Sequence, residues 1–129
     1  MKNLEIVAIV NAYIARHKDG EGMKLPAKAA WTRRVNMDKL FHAKGIIDEA
    51  MKEIWQKYSD EEHSEEKELD GGKKDRVIKP EYVEDFRREQ AEIMEQDTEV
   101  EIRKVSVSEL GNIELSDADM DTIAFMLED

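Results

Sequence analysis

The chain has no cysteine among its 129 residues. That rules out disulfides, thiolate nucleophiles and cysteine-based zinc sites, and nothing points to an oxidising compartment. Aromatic residues are scarce at 6%, and seven methionines fill part of the apolar volume. This composition suits helices with adaptable packing better than a β-sandwich. No apolar run approaches the roughly 18 residues of a membrane-spanning helix. Met1–Ile14 is apolar in places, but Lys2, Glu5 and Asn11 interrupt it and there is no clean cleavage signature, so it reads as the first helix of a soluble protein. A membrane role is therefore not expected, and the character is that of a cytoplasmic protein.

Charge, in contrast, is abundant: 40% of residues are Asp, Glu, Lys or Arg, and the formal net charge is −11. It is unevenly spread. Residues 1–59 hold 11 Lys and Arg against 7 Asp and Glu, a net of +4, and residues 60–129 carry a net of −15. Such polarity bears on association rather than on fold. It divides a single expected domain, residues 1–129, into a basic helical half (1–60), a charged connector (61–79) and an acidic α/β half (80–129).

Residues 3–16 place Ile6, Val10 and Tyr13 on one face with Val7 and Ile14 beside it, the spacing of an amphipathic helix. Gly20 and Gly22 supply the breaker, and Pro26 suits the first turn of a second helix. That helix, roughly residues 26–60, carries a near coiled-coil seam through Ala30, Arg33, Met37, Leu40, Lys44, Ile47, Met51, Ile54 and Tyr58. Trp31, Phe41, Ile46, Ala50 and Trp55 widen its apolar face, so it is expected to bury more than one side and to pack on the first helix or on another copy. Gly45 is its weak point, at about 1 kcal/mol relative to Ala.

Residues 59–76, SDEEHSEEKELDGGKKDR, offer almost nothing to bury and read as a solvent-exposed connector hinged at Gly71-Gly72. A third helix is predicted from Pro80 with Tyr82, Val83, Phe86 and Ile93 on one side. Alternation of Val100 with Ile102, and of Val105 with Val107, then predicts a small β element near residues 98–108, either one strand with a bulge at the phase slip or two short strands. Ser116 followed by Asp117 and Asp119 marks the start of a final helix through residue 129. The expected fold class is α+β, mostly α, with a long central helix.

Catalytic and metal signatures are missing. The string DADMDTIAFMLE puts Asp117, Asp119, Asp121 and Glu128 at calcium-loop spacing, but Thr122 stands where the turn needs glycine and the rest reads as helix. Its acids instead suit the positive end of a helix dipole. His17, His42 and His63 are scattered; Asp38–His42 is a surface pair, and DEEH (60–63) sits in too polar a stretch for a bundle metal site. No phosphate loop, nucleophile elbow or HExxH is present. No cofactor, no metal and no enzymatic activity are expected.

The functional handle is KLPAKAAWTRRVNMDKL, residues 24–40, in which five cations and Trp31 accompany a single acid, Asp38. Lys28, Trp31, Arg33, Arg34 and Lys39 are candidate partner-binding residues, although an apolar Trp31 is expected in the core before it serves as an anchor. The net negative charge repels phosphate, so direct nucleic-acid binding is not expected and the cations should face acids. A second candidate surface is Glu81, Glu84, Asp85, Glu89 and Glu92 on the third helix, where aligned acids could imitate nucleic acid.

Taken in order, NAYIA, KLPAKAAW with its following Asn36 and KL, KYSDEE, EDFRREQAEIMEQDTEVEIRKVSVSEL and IELSDADMDTIAFMLED resemble an uncharacterised family of small phage and prophage proteins from siphophage-type genomes. The resemblance implies a source, the bacterial host cytoplasm, and supplies no catalytic residue. It implies no mechanism; the expected function, from the charge pattern and the missing catalytic signatures, is a non-enzymatic interaction protein with a phage or host protein partner, acting in virion or tail assembly and able to form homo-oligomers. The alternative is an anti-defence inhibitor whose acidic half occupies the nucleic-acid groove of a host nuclease or immune effector.

Overall fold

The computed structural model describes residues 1–18 and 23–128. The expected glycine breaker at Gly20 and Gly22, and Asp129, lie outside them. The described chain is α+β and mostly α. Its α-helices are α1 (Asn3–Lys18), α2 (Ala27–Tyr58), α3 (Pro80–Met94) and α4 (Asp117–Ile123). Its strands are β1 (Ser64–Glu68), β2 (Lys74–Ile78), β3 (Val105–Ser106) and β4 (Leu127–Glu128), and two 3₁₀ turns cover Val107–Leu110 and Ala124–Met126. No described helix is long and apolar enough to cross a membrane.

Two compact units emerge, Met1–Lys44 with Asp97–Asp129, and Gly45–Gln96. They do not follow the division drawn from charge. The acidic C-terminal segment closes on the basic helical start, while the charged stretch near residue 70 groups with α3.

In the first unit the helix-spaced residues Ile6 and Val10 of α1 are fully enclosed, as is Leu40 of α2. Pro26 stands just before α2, and its carbonyl accepts from the Ala30 amide at 2.9 Å, the first bond of the helix. A second cluster gathers Ala29, Val105, Leu110, Ile123 and Met126, with Leu25, Ile102 and Phe125 against it. The two segments of the unit are stitched by backbone. Lys2 bridges Asp97 in antiparallel fashion, and the Thr98 amide donates to the Met1 carbonyl at 2.9 Å. Asn36, wholly buried on α2, donates from Nδ2 to the Arg103 carbonyl at 2.9 Å. Its Oδ1 accepts from the Arg103 amide at the same distance. One side chain thus completes both polar groups of a residue in irregular backbone.

The expected β element is much smaller than the alternation suggested. Residues 100–104 are irregular, and only Val105–Ser106 pairs, in parallel, with Leu127–Glu128. The last helix is also shorter. The Ser116 hydroxyl caps it as expected, accepting from the Asp119 amide at 3.1 Å, but α4 ends at Ile123 and tightens into 3₁₀ before β4. Ile123 and Met126, three residues apart and so on one side of the turn, both reach the core.

In the second unit the predicted connector is a hairpin. β1 and β2 pair antiparallel with Glu66 opposite Arg76, Lys67 opposite Asp75 and Glu68 opposite Lys74. Opposite charges therefore face one another at three successive registers, which stabilises the pairing where apolar side chains are lacking. Gly71 and Gly72 make the turn at φ of 90° and 78°, a left-handed conformation that suits glycine. Behind it, Ser64 is nearly closed from solvent. Its hydroxyl donates to the Asp60 carbonyl and accepts from Arg76 Nη1 at 2.8 Å. α3 begins at Pro80 as predicted but buries no residue fully.

Candidate functional site

The seam of α2 resolves into a covered and an open side. Met37, Leu40, Ile47 and Tyr58 are buried as predicted, but Ala30 is exposed and its neighbour Ala29 takes the inward position. The residues expected to widen the buried stripe do not. Trp31 is 62% exposed, Ile46 60%, and Phe41 and Trp55 about 40%. The expectation that Trp31 belongs to the core is thereby corrected: helical spacing defines a wide apolar stripe, and the neighbours packed on α2 cover only part of it.

The basic candidates separate accordingly. Arg34 is solvent-exposed, one turn from Trp31 on the same outward face. Lys28, a turn on the other side of Trp31, reaches Glu109 at 3.5 Å and stays largely in solvent. Lys39 donates to the Glu101 carbonyl at 2.9 Å. Arg33 turns inward and is 8% exposed. So Lys28, Trp31 and Arg34 form one outward stripe, and Arg33 belongs to a different environment.

That environment is a cleft of about 420 Å³ in the first unit. Met23, Leu25, Ala30 and Met37 supply apolar wall, and Tyr13 and Phe41 meet edge to face with centroids 5.7 Å apart. Arg33, Arg34 and Asp38 are its charged members. The Arg33 guanidinium carbon lies 4.8 Å from the centre of the Tyr13 ring, a cation–π contact. Burial pushes this guanidinium below the ordinary arginine value, against the opposing influence of Tyr13 and Asp119. Asp119 itself, on α4, is ion-paired to Arg16 of α1. Arg33 Nε and Nη2 are both enclosed and have no hydrogen-bond partner among the described residues. The only sign of this in the sequence is an arginine at a seam whose other positions, Lys44 apart, are apolar or aromatic.

The acidic candidates on α3 are broken up as a surface. Glu81, Glu84 and Glu92 are exposed, but Arg87 and Arg88 stand among them. Asp85 pairs with Arg88 at 3.0 Å. Glu89 is bound by Lys57 Nζ of α2 at 2.7 Å, and its carboxyl is held below the ordinary range by that lysine first and by the Tyr58 hydroxyl second. Around this pair Trp55, Tyr58 and Phe86 meet edge to face, and His63 packs on both Tyr58 and Tyr82. Glu89 therefore has a structural partner inside its own unit.

The DEEH stretch does bring groups together. Asp60, Glu62 and His63 present ligand atoms near one another at the surface, the single such group among the described residues. Asp60 Oδ1 lies 2.7 Å from His63 Nδ1 and accepts from the His63 amide at 2.9 Å. These bonds hold the Asp60 carboxyl below its ordinary value, the side-chain bond being the larger cause. The arrangement is a turn-forming aspartate. The acids of α4 form no comparable group.

No protein-family model matches the chain, and neither a curated protein nor a solved structure matches it.

Proposed function

We propose that the chain is a phage-encoded, non-enzymatic interaction protein that acts through protein–protein contact in virion or tail assembly. The observation that carries this reading is Trp31, an indole 62% exposed between Lys28 and Arg34 on one face of α2. Tryptophan and arginine dominate the energetics of protein interfaces, where the ring is desolvated and the cation set against acids. The stripe therefore fits an acidic protein surface, supplied by another phage protein or by a second copy. The anti-defence reading has weaker support, since Arg87 and Arg88 interrupt the acids of α3 and Lys57 neutralises Glu89.

A photo-crosslinking phenylalanine analogue at position 31, introduced during phage production, tests this. The expected product is an adduct with a virion structural protein or with a second copy, identified by mass spectrometry and lost in Arg34→Glu. An adduct to a host nuclease would favour the alternative, and no adduct at all would remove the stripe as a contact surface.

A further inference from the structure

The Arg33 guanidinium poses a problem that the interaction stripe does not address. Unpaired donors closed off from water are costly, and native proteins rarely leave two on one side chain. Nε and Nη2 are adjacent nitrogens on one edge of the planar group, and their N–H bonds run side by side. That edge is the fork that receives the two oxygens of a carboxylate in parallel. Here neither prong has an acceptor among the described residues. The Tyr13 ring attracts the charge but accepts no hydrogen bond from either nitrogen.

The charge balance points the same way. Asp119, the acid that acts on Arg33 through space, is engaged by Arg16. Arg34 and Asp38 in the cleft wall carry opposite charges that offset each other. Among the described residues one positive charge is left, which suits a monoanion and not a phosphate monoester, whose charge lies nearer −2. The rest of the wall is apolar: Met23, Leu25, Ala30, Met37 and Phe41. A volume of about 420 Å³ falls in the range of small-ligand sites.

We propose that the Arg33 cleft binds a carboxylate carried on an apolar body, the carboxylate seated on the Nε–Nη2 fork and the body against the methionine and aromatic wall. Because both nitrogens are enclosed, the ligand gains them through rotation of the Arg33 side chain into the cleft. Two sources share this chemistry: a free small carboxylic acid, or the C-terminal carboxylate of a peptide ending in an apolar residue. Arg34 belongs to both the cleft wall and the interaction stripe, but Trp31 does not line the cleft, so Trp31 is the residue that tells the two sites apart.

The test uses the full chain labelled at methionine methyl groups, with Met23 and Met37 as reporters. Octanoate and phenylacetate are titrated alongside octanamide and phenylacetamide, and a short peptide ending in leucine is compared as free acid and as amide. Saturable shifts at Met23 and Met37 are expected for an acid form, with the matching amide at least about tenfold weaker because it cannot pair with the fork as an anion. Arg33→Lys keeps the charge and loses the planar fork, and should weaken the acid by about tenfold. Trp31→Ala should leave it unchanged. Tighter binding of the peptide acid assigns the ligand to a chain terminus, and tighter binding of the free acids assigns it to a small molecule. Equal affinity for acid and amide, undiminished binding by Arg33→Lys, or no saturable shift with any acid would each overturn the proposal. The acid–amide comparison is made on the unaltered chain and does not depend on any variant folding.

Discussion

Leu40 and Tyr58 lie on the same helix, and both are shut away from solvent by very different means. Leu40 belongs to a unit in which Ile6, Val10, Ile123 and Met126 are also fully enclosed, so its surroundings are aliphatic and tight. Tyr58 belongs to a unit whose α3 buries nothing completely; aromatic edges, a lysine–glutamate pair and a charged hairpin surround it. The first unit relies mainly on enclosed hydrocarbon, and the second, beside its buried Ile47, relies more on paired polar and aromatic groups. The lesson is that a chain with 40% charged residues can place most of its enclosed hydrocarbon in one unit and rest the other largely on paired polarity.

The largest effect should come from the aliphatic unit. Leu40→Ala removes a side chain that is fully buried and should cost about 2 to 5 kcal/mol in urea unfolding. Val83→Ala on the half-buried face of α3 should cost less than half as much. Equal losses would mean that the second unit has an aliphatic core after all.

Each unit also contains a buried polar anchor, and these should rank next. Asn36→Ala strands the amide and carbonyl of Arg103 and should cost about 1 to 3 kcal/mol. Ser64→Ala removes a hydroxyl shared by Asp60 and Arg76, and about 0.5 to 1.5 kcal/mol is expected. A reversal of that order, measured by the same denaturant series, would show that the hairpin's root is the more demanding polar site.

The smallest effect is a pH dependence. Glu89 has a lowered carboxyl pKa in the folded chain, so its stabilisation is present above the unfolded value of about 4.3 and disappears as pH falls through the lower folded value. Lys57 is raised, chiefly by its hydrogen bond to Glu89. Its share is present below about 10.4 and is lost as pH rises through the raised folded value. Glu89→Gln should flatten both limbs of a stability–pH profile, leaving the separate acid limb of Asp60. The change is small because Lys57 is mostly in solvent. An unaltered profile would remove the pair from the account of the second unit.

Features encoded by near neighbours are legible in the amino-acid order itself. Ile6 with Val10 announces α1, Pro80 with the following aromatics announces α3, and Ser116 announces a capped start. Features that need a distant segment are not. The hairpin depends on Glu66, Lys67 and Glu68 meeting Arg76, Asp75 and Lys74, a match invisible to a search for apolar alternation. Val105 finds its partner at Leu127, far along the chain, so the stretch near residue 100 looks more strand-like in sequence than it is. Trp31 shows another limit: periodicity tells which residues share a face, and only the neighbours decide whether that face is covered. The candidate site is half visible for the same reason, since the cationic run stands out while the inward turn of Arg33 and the fold of Tyr13 over it are tertiary facts.

The hairpin has one more consequence. Each of its strands has a neighbour on one side only, and an open strand edge is a template on which further chains can add. Here Glu65, Glu66, Lys67 and Glu68 on one strand and Lys74, Asp75 and Arg76 on the other line those edges with charge. A strand arriving from another molecule would have to match that sequence of signs or leave ions without compensation. The same residues that hold the two strands together thus work against lateral addition of a further strand.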